Sequence, residues 1–276
     1  MKFTKSISEI IKKRKSIRSY IKDRAIEEDK IEIIEKSINE LNSGNIRFKL
    51  VKVNSSGKRV KIGTYGIISG ANYFLVGIMK NIDKNETLEF GKKFERLILK
   101  ATDLDLGTCW LVGTFNRNDF AKHIELEDGE KIVMASPLGY GVEKDGFKEI
   151  FIKFIVKPHK RKKFSELFFK DKLNNILEEE DIIEYKNALE MLKLAPSAKN
   201  VQPWRVIKTE NSYDFYLESK SSYVYKGINC GYNDLGIAME HFELVANEEN
   251  LSEKWQNLDK SDLENSKYEY IKSWKI

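Results

Sequence analysis

Cysteine is scarce in this chain of 276 residues: Cys109 and Cys230 are the only two, so the sequence implies no disulfide framework. A reducing cytoplasm is the expected compartment. Histidine is almost as rare. His123, His159 and His241 are scattered without the spacing of a metal site, and no metal is expected. There is no long hydrophobic run. The most apolar stretch, residues 65–79, is broken by Gly66, Ser69, Gly70, Asn72 and Gly77. It is too short and too interrupted to span a bilayer and reads as a turn followed by a buried strand. Met1 to Glu9 carries Lys2, Lys5 and Glu9 and lacks the apolar centre of a secretory signal. Neither a membrane nor secretion is expected.

Charge of one sign is lacking too. Lys and Arg number 48 against 43 Asp and Glu, for a net charge of +5. Spread over this length, that balance serves solubility rather than a grip on nucleic acid. One basic run stands out, Lys157-Pro158-His159-Lys160-Arg161-Lys162-Lys163. It could hold a phosphate or be a solvated surface turn. No GxGxxG run marks a nicotinamide-binding βαβ unit, and no catalytic triad is visible. What the chain does have is 41% hydrophobic residues, ample for one large core or two small ones.

The apolar periodicity alternates between helix and strand. Helices are expected over Lys2–Lys13, Glu28–Leu41, Glu86–Leu104 (with Gly107 as C-cap), Arg117–His123 (capped by Asn116), Ile182–Leu194 and Asp234–Asn247. Strands are expected over Phe48–Val53, Tyr73–Met79, Lys131–Leu138, Glu149–Val156, Trp204–Lys208, Tyr213–Glu218 and Tyr268–Ile276, with a hairpin around Glu210-Asn211-Ser212. The order lacks regular βαβ repetition. It indicates an α+β fold with a mixed or antiparallel sheet packed by helices. A weak internal repeat is present. Glu89-Phe90-Gly91 with Glu95, Leu99 and Ala101 aligns without gaps on Asp234-Leu235-Gly236 with Glu240, Leu244 and Ala246. The alternative is a chance match between two amphipathic helices.

Two short segments carry chemistry. Arg14-Lys15-Ser16-Ile17-Arg18 follows the first helix. Residues two apart in an extended segment point to one side, so Arg14, Ser16 and Arg18 could converge on one anion. Two guanidinium groups and a hydroxyl are suited to a phosphate. The alternative is a basic helix end satisfying its own carbonyls. The second segment is Ala195-Pro196-Ser197-Ala198-Lys199-Asn200-Val201-Gln202-Pro203-Trp204. Pro196 ends a helix, Ser197 and Asn200 offer short polar reach, and Trp204 can bury its ring at the start of a strand. An ordinary helix–turn–strand connection would read the same way. Gly107-Thr108-Cys109-Trp110 and Ser136-Pro137-Leu138-Gly139-Tyr140-Gly141 add small residues that permit close approach of a planar ligand, or a helix end and a tight turn.

Together these segments resemble the flavin-dependent nitroreductase family, with its RRSxR and APSxxNxQPW signatures, and in particular members with two repeats in one chain. The resemblance implies a nitroreductase-like α+β fold, internally duplicated as a pseudo-dimer, with repeats at 1–165 and 166–276. It implies FMN as cofactor and NADH or NADPH as electron donor. Arg14, Lys15, Ser16 and Arg18 take the family's phosphate and ribityl positions. Pro137, Leu138, Gly139 and Tyr140 take the loop beside the flavin N5. Pro196, Ser197, Ala198, Asn200 and Gln202 take positions normally supplied by a partner subunit, and Lys160 and Arg161 the basic positions that complete phosphate binding. Hydride transfer through the flavin to a nitro, quinone or similar small-molecule acceptor follows, with no side chain as catalyst. The partners implied are small molecules, with no nucleic acid or membrane, and the chain acts as a monomer or weak homodimer. An FMN-binding protein without turnover is the alternative. The first-half counterpart of the second signature is degraded to Asn42-Ser43-Gly44-Asn45-Ile46-Arg47-Phe48, so the resemblance implies one intact flavin site.

Overall fold

The computed structural model describes residues 1–53, 63–142, 160–218, 223–251, 254–259 and 267–276. The expected strand at Glu149–Val156 and the first three residues of the basic run lie outside the described residues. The chain divides into two compact units: Met1–Lys5, Lys13–Glu86 and Lys93–Val156 form unit 1, and Ser6–Lys12, Thr87–Lys92 and Lys157–Ile276 form unit 2.

Unit 1 is built on helix α2 (Glu28–Leu41) and strands β1 (Ile46–Lys52), β2 (Tyr73–Met79), β3 (Gly107–Thr108) and β4 (Lys131–Gly139), with most of the long helix α3 (Lys84–Asp103). The sheet order is β1-β2-β4-β3 and every pairing is antiparallel. Helix α2 begins with Glu28 and Asp29, whose charge suits its positive end, and buries Ile34, Ser37, Ile38 and Leu41, which share one helical face. Asp83 caps α3 by accepting from the Glu86 N–H at 2.9 Å. Residues of β1, β2 and β4 meet Phe115 and Phe120 in one apolar cluster. Phe120, on the short helix α4 (Arg117–Ala121), sits edge-on to Phe74 at 5.2 Å. Asn116 caps that helix as expected.

Among the expected boundaries that move, three have a local cause. The first helix, α1, starts at Ile7 rather than Lys2. The chain bends at Thr4 and Lys5 before it, where Thr4 N and Oγ1 donate to Asp103 at 3.0 and 2.7 Å. Gly107 is not the C-cap of α3. The helix ends at Asp103, Asp105 takes the left-handed conformation at φ 64°, and Gly107 opens β3. The expected helix Ile182–Leu194 is a 3-10 turn at Glu179–Tyr185, kinked at Ile182, followed by α6 (Lys186–Lys193).

Unit 2 adds the short helix α5 (Phe164–Leu167), strands β5 (Phe168–Lys170), β6 (Trp204–Lys208), β7 (Ser212–Glu218), β8 (Val224–Tyr225) and β9 (Ile228–Asn229), helix α7 (Cys230–Glu248), and strands β10 (Trp255–Gln256) and β11 (Tyr268–Lys275). Its main sheet runs β10-β11-β7-β6-β5, with β5 parallel to β6. Without β5, the order β6-β7-β11-β10 matches β1-β2-β4-β3 strand for strand. The chain order matches as well: helix, hairpin, long helix, short strand, last strand. Phe242 of α7 is the centre of the unit 2 core, in ring contact with Tyr185, Tyr213, Phe215 and Trp274.

The start of α3 belongs to unit 2 and crosses α7 there. A Cβ on Gly91 would meet Asn233 O at 2.3 Å, and a Cβ on Gly236 would meet Leu88 O at 2.1 Å. The contact is reciprocal. Each glycine lies three residues after the position its counterpart touches. No helix among the described residues is long and apolar enough to cross a membrane.

Candidate functional site

In unit 1 the sequence segment after α1 runs extended along the open edge of the sheet. Ser16 bridges Thr108 in parallel, and Ile17 N donates to Thr108 O at 2.8 Å. Farther on, Tyr20 bridges Gly141, and Ile21 N donates to Tyr140 O at 2.8 Å. Glycine is required at two points of this contact. A Cβ on Gly107 or on Gly141 would come within 2.9 Å of the Ile17 side chain. The segment is therefore locked at Ile17, which fixes where its neighbours Ser16 and Arg18 stand. The structure thus brings Arg14, Lys15, Ser16 and Arg18 together with Pro137, Leu138, Gly139 and Tyr140.

Arg14 is the most informative member. Its side chain is largely buried, and its Nε has no hydrogen-bond partner. The nearest acid is Glu95, whose Oε1 lies 3.9 Å away, beyond hydrogen-bond length. Glu95 is fully buried, and its other oxygen accepts from Trp110 Nε1 at 2.7 Å. A buried donor with no acceptor is costly. Arg14 is thus poised for an anion that would use it. Ser16 and Arg18 are half-buried and Lys15 is exposed.

At the end of β4, Leu138 pairs with Tyr73 on one side and Thr108 on the other, and Gly139 pairs with Gly107. Pro137 and Leu138 are strand residues rather than part of a turn. Tyr140 is buried. Its hydroxyl accepts from Lys30 Nζ at 2.7 Å and donates to Glu27, and Arg24 lies 3.6 Å over its ring. The Tyr140 hydrogen bond holds the Glu27 carboxyl below its ordinary range and the Lys30 amine above its own.

In unit 2 the second segment and the basic run come together. Ser197 Oγ accepts from Gln202 N at 2.9 Å. Gln202 Oε1 accepts from Lys162 N at 2.9 Å, and the amides of Asn200 and Gln202 both donate to Lys160 O, at 2.9 and 3.2 Å. Arg161 donates to Leu194 O at 2.8 Å, to Ala195 O at 2.7 Å and to Asn200 Oδ1 at 3.3 Å. Its guanidinium thereby caps the C-terminal end of α6. The turn is strained: Lys199, Asn200 and Gln202 all have positive φ, at 53°, 57° and 53°. Asparagine tolerates this region, but lysine and glutamine pay about 1–2 kcal/mol each. Such strain persists only where the surroundings fix the conformation. Trp204, fully buried, starts β6 as expected.

In the sequence Asp234 has a place in the repeat and at the start of an expected helix, with no role in a site. In the structure it is a buried carboxyl of α7 that accepts from Ala198 N at 2.8 Å and so anchors the strained turn. Burial raises it to about 8, against the pull of the Ala198 hydrogen bond. Glu95 was likewise a repeat position only. For both, the signal in the sequence was a carboxylate inside an otherwise apolar helix face. Among the described residues, no cluster of His, Cys, Asp and Glu could hold a metal ion.

A family profile described as "Putative TM nitroreductase" matches residues 6–246. Among solved structures, a protein described as a "putative nitroreductase" from Thermotoga maritima MSB8 is similar over 99% of this chain and 95% of its own, with 20% identity and a TM-score of 0.58. That likeness shows the fold. A nitroreductase family protein from Clostridium novyi NT is 22% identical over 51% of this chain and 89% of its own, with a TM-score of 0.39. No curated protein matches the chain.

Proposed function

The chain belongs to the family described as "Putative TM nitroreductase", and on that premise we propose that it is an FMN-dependent oxidoreductase that draws on NADH or NADPH and reduces a nitro compound, a quinone or a similar small acceptor. The observation that carries the proposal is the buried Arg14 Nε without a partner, on the segment locked against Gly107 and Gly141. It is the kind of donor a phosphate monoester satisfies.

Bound FMN supplies the redox chemistry, accepting and releasing hydride equivalents. The chain's own residues hold and orient it. Arg14, Ser16 and Arg18 hold the phosphate, and Lys15 adds positive charge at the surface. Glu95 limits the motion of Arg14 through its charge, while Trp110 fixes Glu95. The end of β4, at Leu138–Tyr140, is rigid because it is paired with β2 and β3. No side chain serves as a chemical catalyst in this reading. Pro196, Ser197, Ala198, Asn200, Gln202, Lys160 and Arg161 form the second set. Hydrogen bonds among Ser197, Asn200, Gln202, Lys160 and Arg161 fix its backbone shape.

We also read the chain as an internal duplication. The matched strand order of the two units and the reciprocal glycine crossing support it. The degraded Asn42–Phe48 turn supports a single flavin site. Asn42 closes that turn on itself, accepting from Phe48 N at 2.7 Å, and Asn45 donates to Glu86 at 3.0 Å. The same reading places the protein in the cytoplasm, as a monomer or weak homodimer.

The test is an FMN titration of the flavin-free chain, followed by steady-state oxidation of NADH and NADPH with a quinone acceptor. Saturable FMN binding with turnover is expected. FMN binding with nicotinamide oxidation at background would leave a binding protein instead, and no FMN uptake would overturn the proposal.

A further inference from the structure

The two units differ at one equivalent place. In unit 1 the space bounded by residues 20–26, the start of β2 and the end of β4 is nearly filled by Tyr20, Arg24 and Tyr140, leaving about 20 Å³. In unit 2 the corresponding space lies between the Glu179–Tyr185 turn, the start of β7 and the end of β11. There it opens into a cleft of about 570 Å³, a volume in the range of small-molecule sites. The reason is local. In unit 1 the extended Ser16–Ile21 segment pairs with β3 and the residues after β4. Among the described residues of unit 2, no bridge of that kind is made to β10.

The walls of the cleft have a definite chemistry. Glu180, Asp181 and Glu184 line it together with Lys208, Tyr185 and Tyr213. Asp181 is already matched by Lys170 at 2.7 Å. Glu180 and Glu184 are exposed and have no partner among the described residues. Tyr213 is fully buried, and its hydroxyl has no hydrogen-bond partner. Burial first, then the nearby Tyr185, Glu184 and Asp181, push that hydroxyl up, so it stays protonated and stands near the acidic wall. Ile183 and Leu251 add apolar surface at the mouth.

We propose that this cleft binds an organic cation, an ammonium or guanidinium group on a short aliphatic chain. The cation would donate to the orphaned Tyr213 oxygen and neutralise Glu180 and Glu184. Its aliphatic portion would rest on Ile183 and Leu251. The unmatched carboxylates of Glu180 and Glu184 outnumber the Lys208 amine and oppose an anion of the same shape. The site is separate from the residues assigned to FMN, and the proposal does not depend on that assignment.

Calorimetric titration of the full chain, with and without added FMN, by hexylamine, hexanoate and hexanol tests it. Hexylamine is expected to bind saturably at one site, with hexanoate showing no binding and hexanol at most weak binding. Tyr213→Phe should weaken hexylamine roughly tenfold, the effect of one lost hydrogen bond. The double change Glu180→Gln with Glu184→Gln should weaken it at least as much. These two glutamates are exposed, so that variant decides the matter if Tyr213→Phe melts early. Flavin absorbance of the same samples reports FMN occupancy separately. Hexanoate binding as well as hexylamine, hexylamine binding unchanged in the folded variants, or no saturable hexylamine binding would overturn the proposal.

Discussion

Arg14 Nε stands 3.9 Å from Glu95 Oε1, buried and without a hydrogen bond, so the guanidinium is held near a negative charge that does not satisfy it. An incoming phosphate would complete its shell. Replacing Arg14 with Ala should weaken FMN by roughly 10- to 100-fold, the equivalent of losing a charge-assisted hydrogen bond or two. Arg14→Lys should recover part of that loss, since it restores charge without the planar fork. Equilibrium FMN titration by fluorescence quenching reads both. An Arg14→Ala protein that melts normally and binds FMN as the parent does would remove Arg14 from the site.

The glycine crossing makes a stability prediction. Gly91→Ala and Gly236→Ala each push a methyl into a backbone carbonyl, at 2.3 Å from Asn233 O and 2.1 Å from Leu88 O. Backbone cannot rotate away as a side chain can. Each change should cost about 1–3 kcal/mol in urea unfolding, and the two costs should be similar. A large cost at one position and none at the other would speak against the reciprocal packing.

Much of this was legible in advance. The ranges of α2 and β2 fall where the sequence places them, α2 because its apolar positions keep one helical period and β2 because it is a short, nearly continuous apolar run. The pairing of the N-terminal motif with Gly107 and Gly139–Gly141 could not be read from spacing, since it rests on Ile17 filling space that only glycine leaves. The kink at Ile182 was hidden because Ile182, Tyr185, Leu189 and Leu192 keep helical spacing across it. Short strands such as β5 and β10 have too few residues to show a period. The partners of the second motif's polar side chains are not legible in the sequence, because Asn200 and Gln202 hydrogen-bond the Lys160–Lys162 backbone, which is distant in the chain.

The strained turn carries its own test. Lys199 holds φ 53°, and its amine sits 4.2 Å from the Tyr223 ring, a modest contact. Lys199→Gly relieves the left-handed strain and should raise stability by up to about 1 kcal/mol. Thermal unfolding reads the change. A clear loss of stability would mean that the cation–ring contact outweighs the strain.

Asp234 predicts a pH dependence. Burial raises its folded pKa to about 8, above the ordinary carboxylate value. The folded state therefore keeps a proton that the unfolded chain releases. Between about pH 4 and 8 this group makes stability fall as pH rises, and the slope levels off above the folded pKa. Asp234→Asn keeps an oxygen for the Ala198 N–H and removes the titration. Its stability should vary less than the parent's from pH 5 to 8, as followed by urea unfolding. Equal slopes in the two proteins would show that Asp234 is ionised in the folded state.

The central claim is one FMN held by this chain, with Arg14 at its phosphate. The absorbance spectrum and flavin content of the purified full chain, after saturation with FMN and removal of excess, test it most directly. A flavin spectrum with one FMN per chain is the predicted result. A colourless protein that takes up no FMN would contradict the account, and two FMN per chain would contradict its single site.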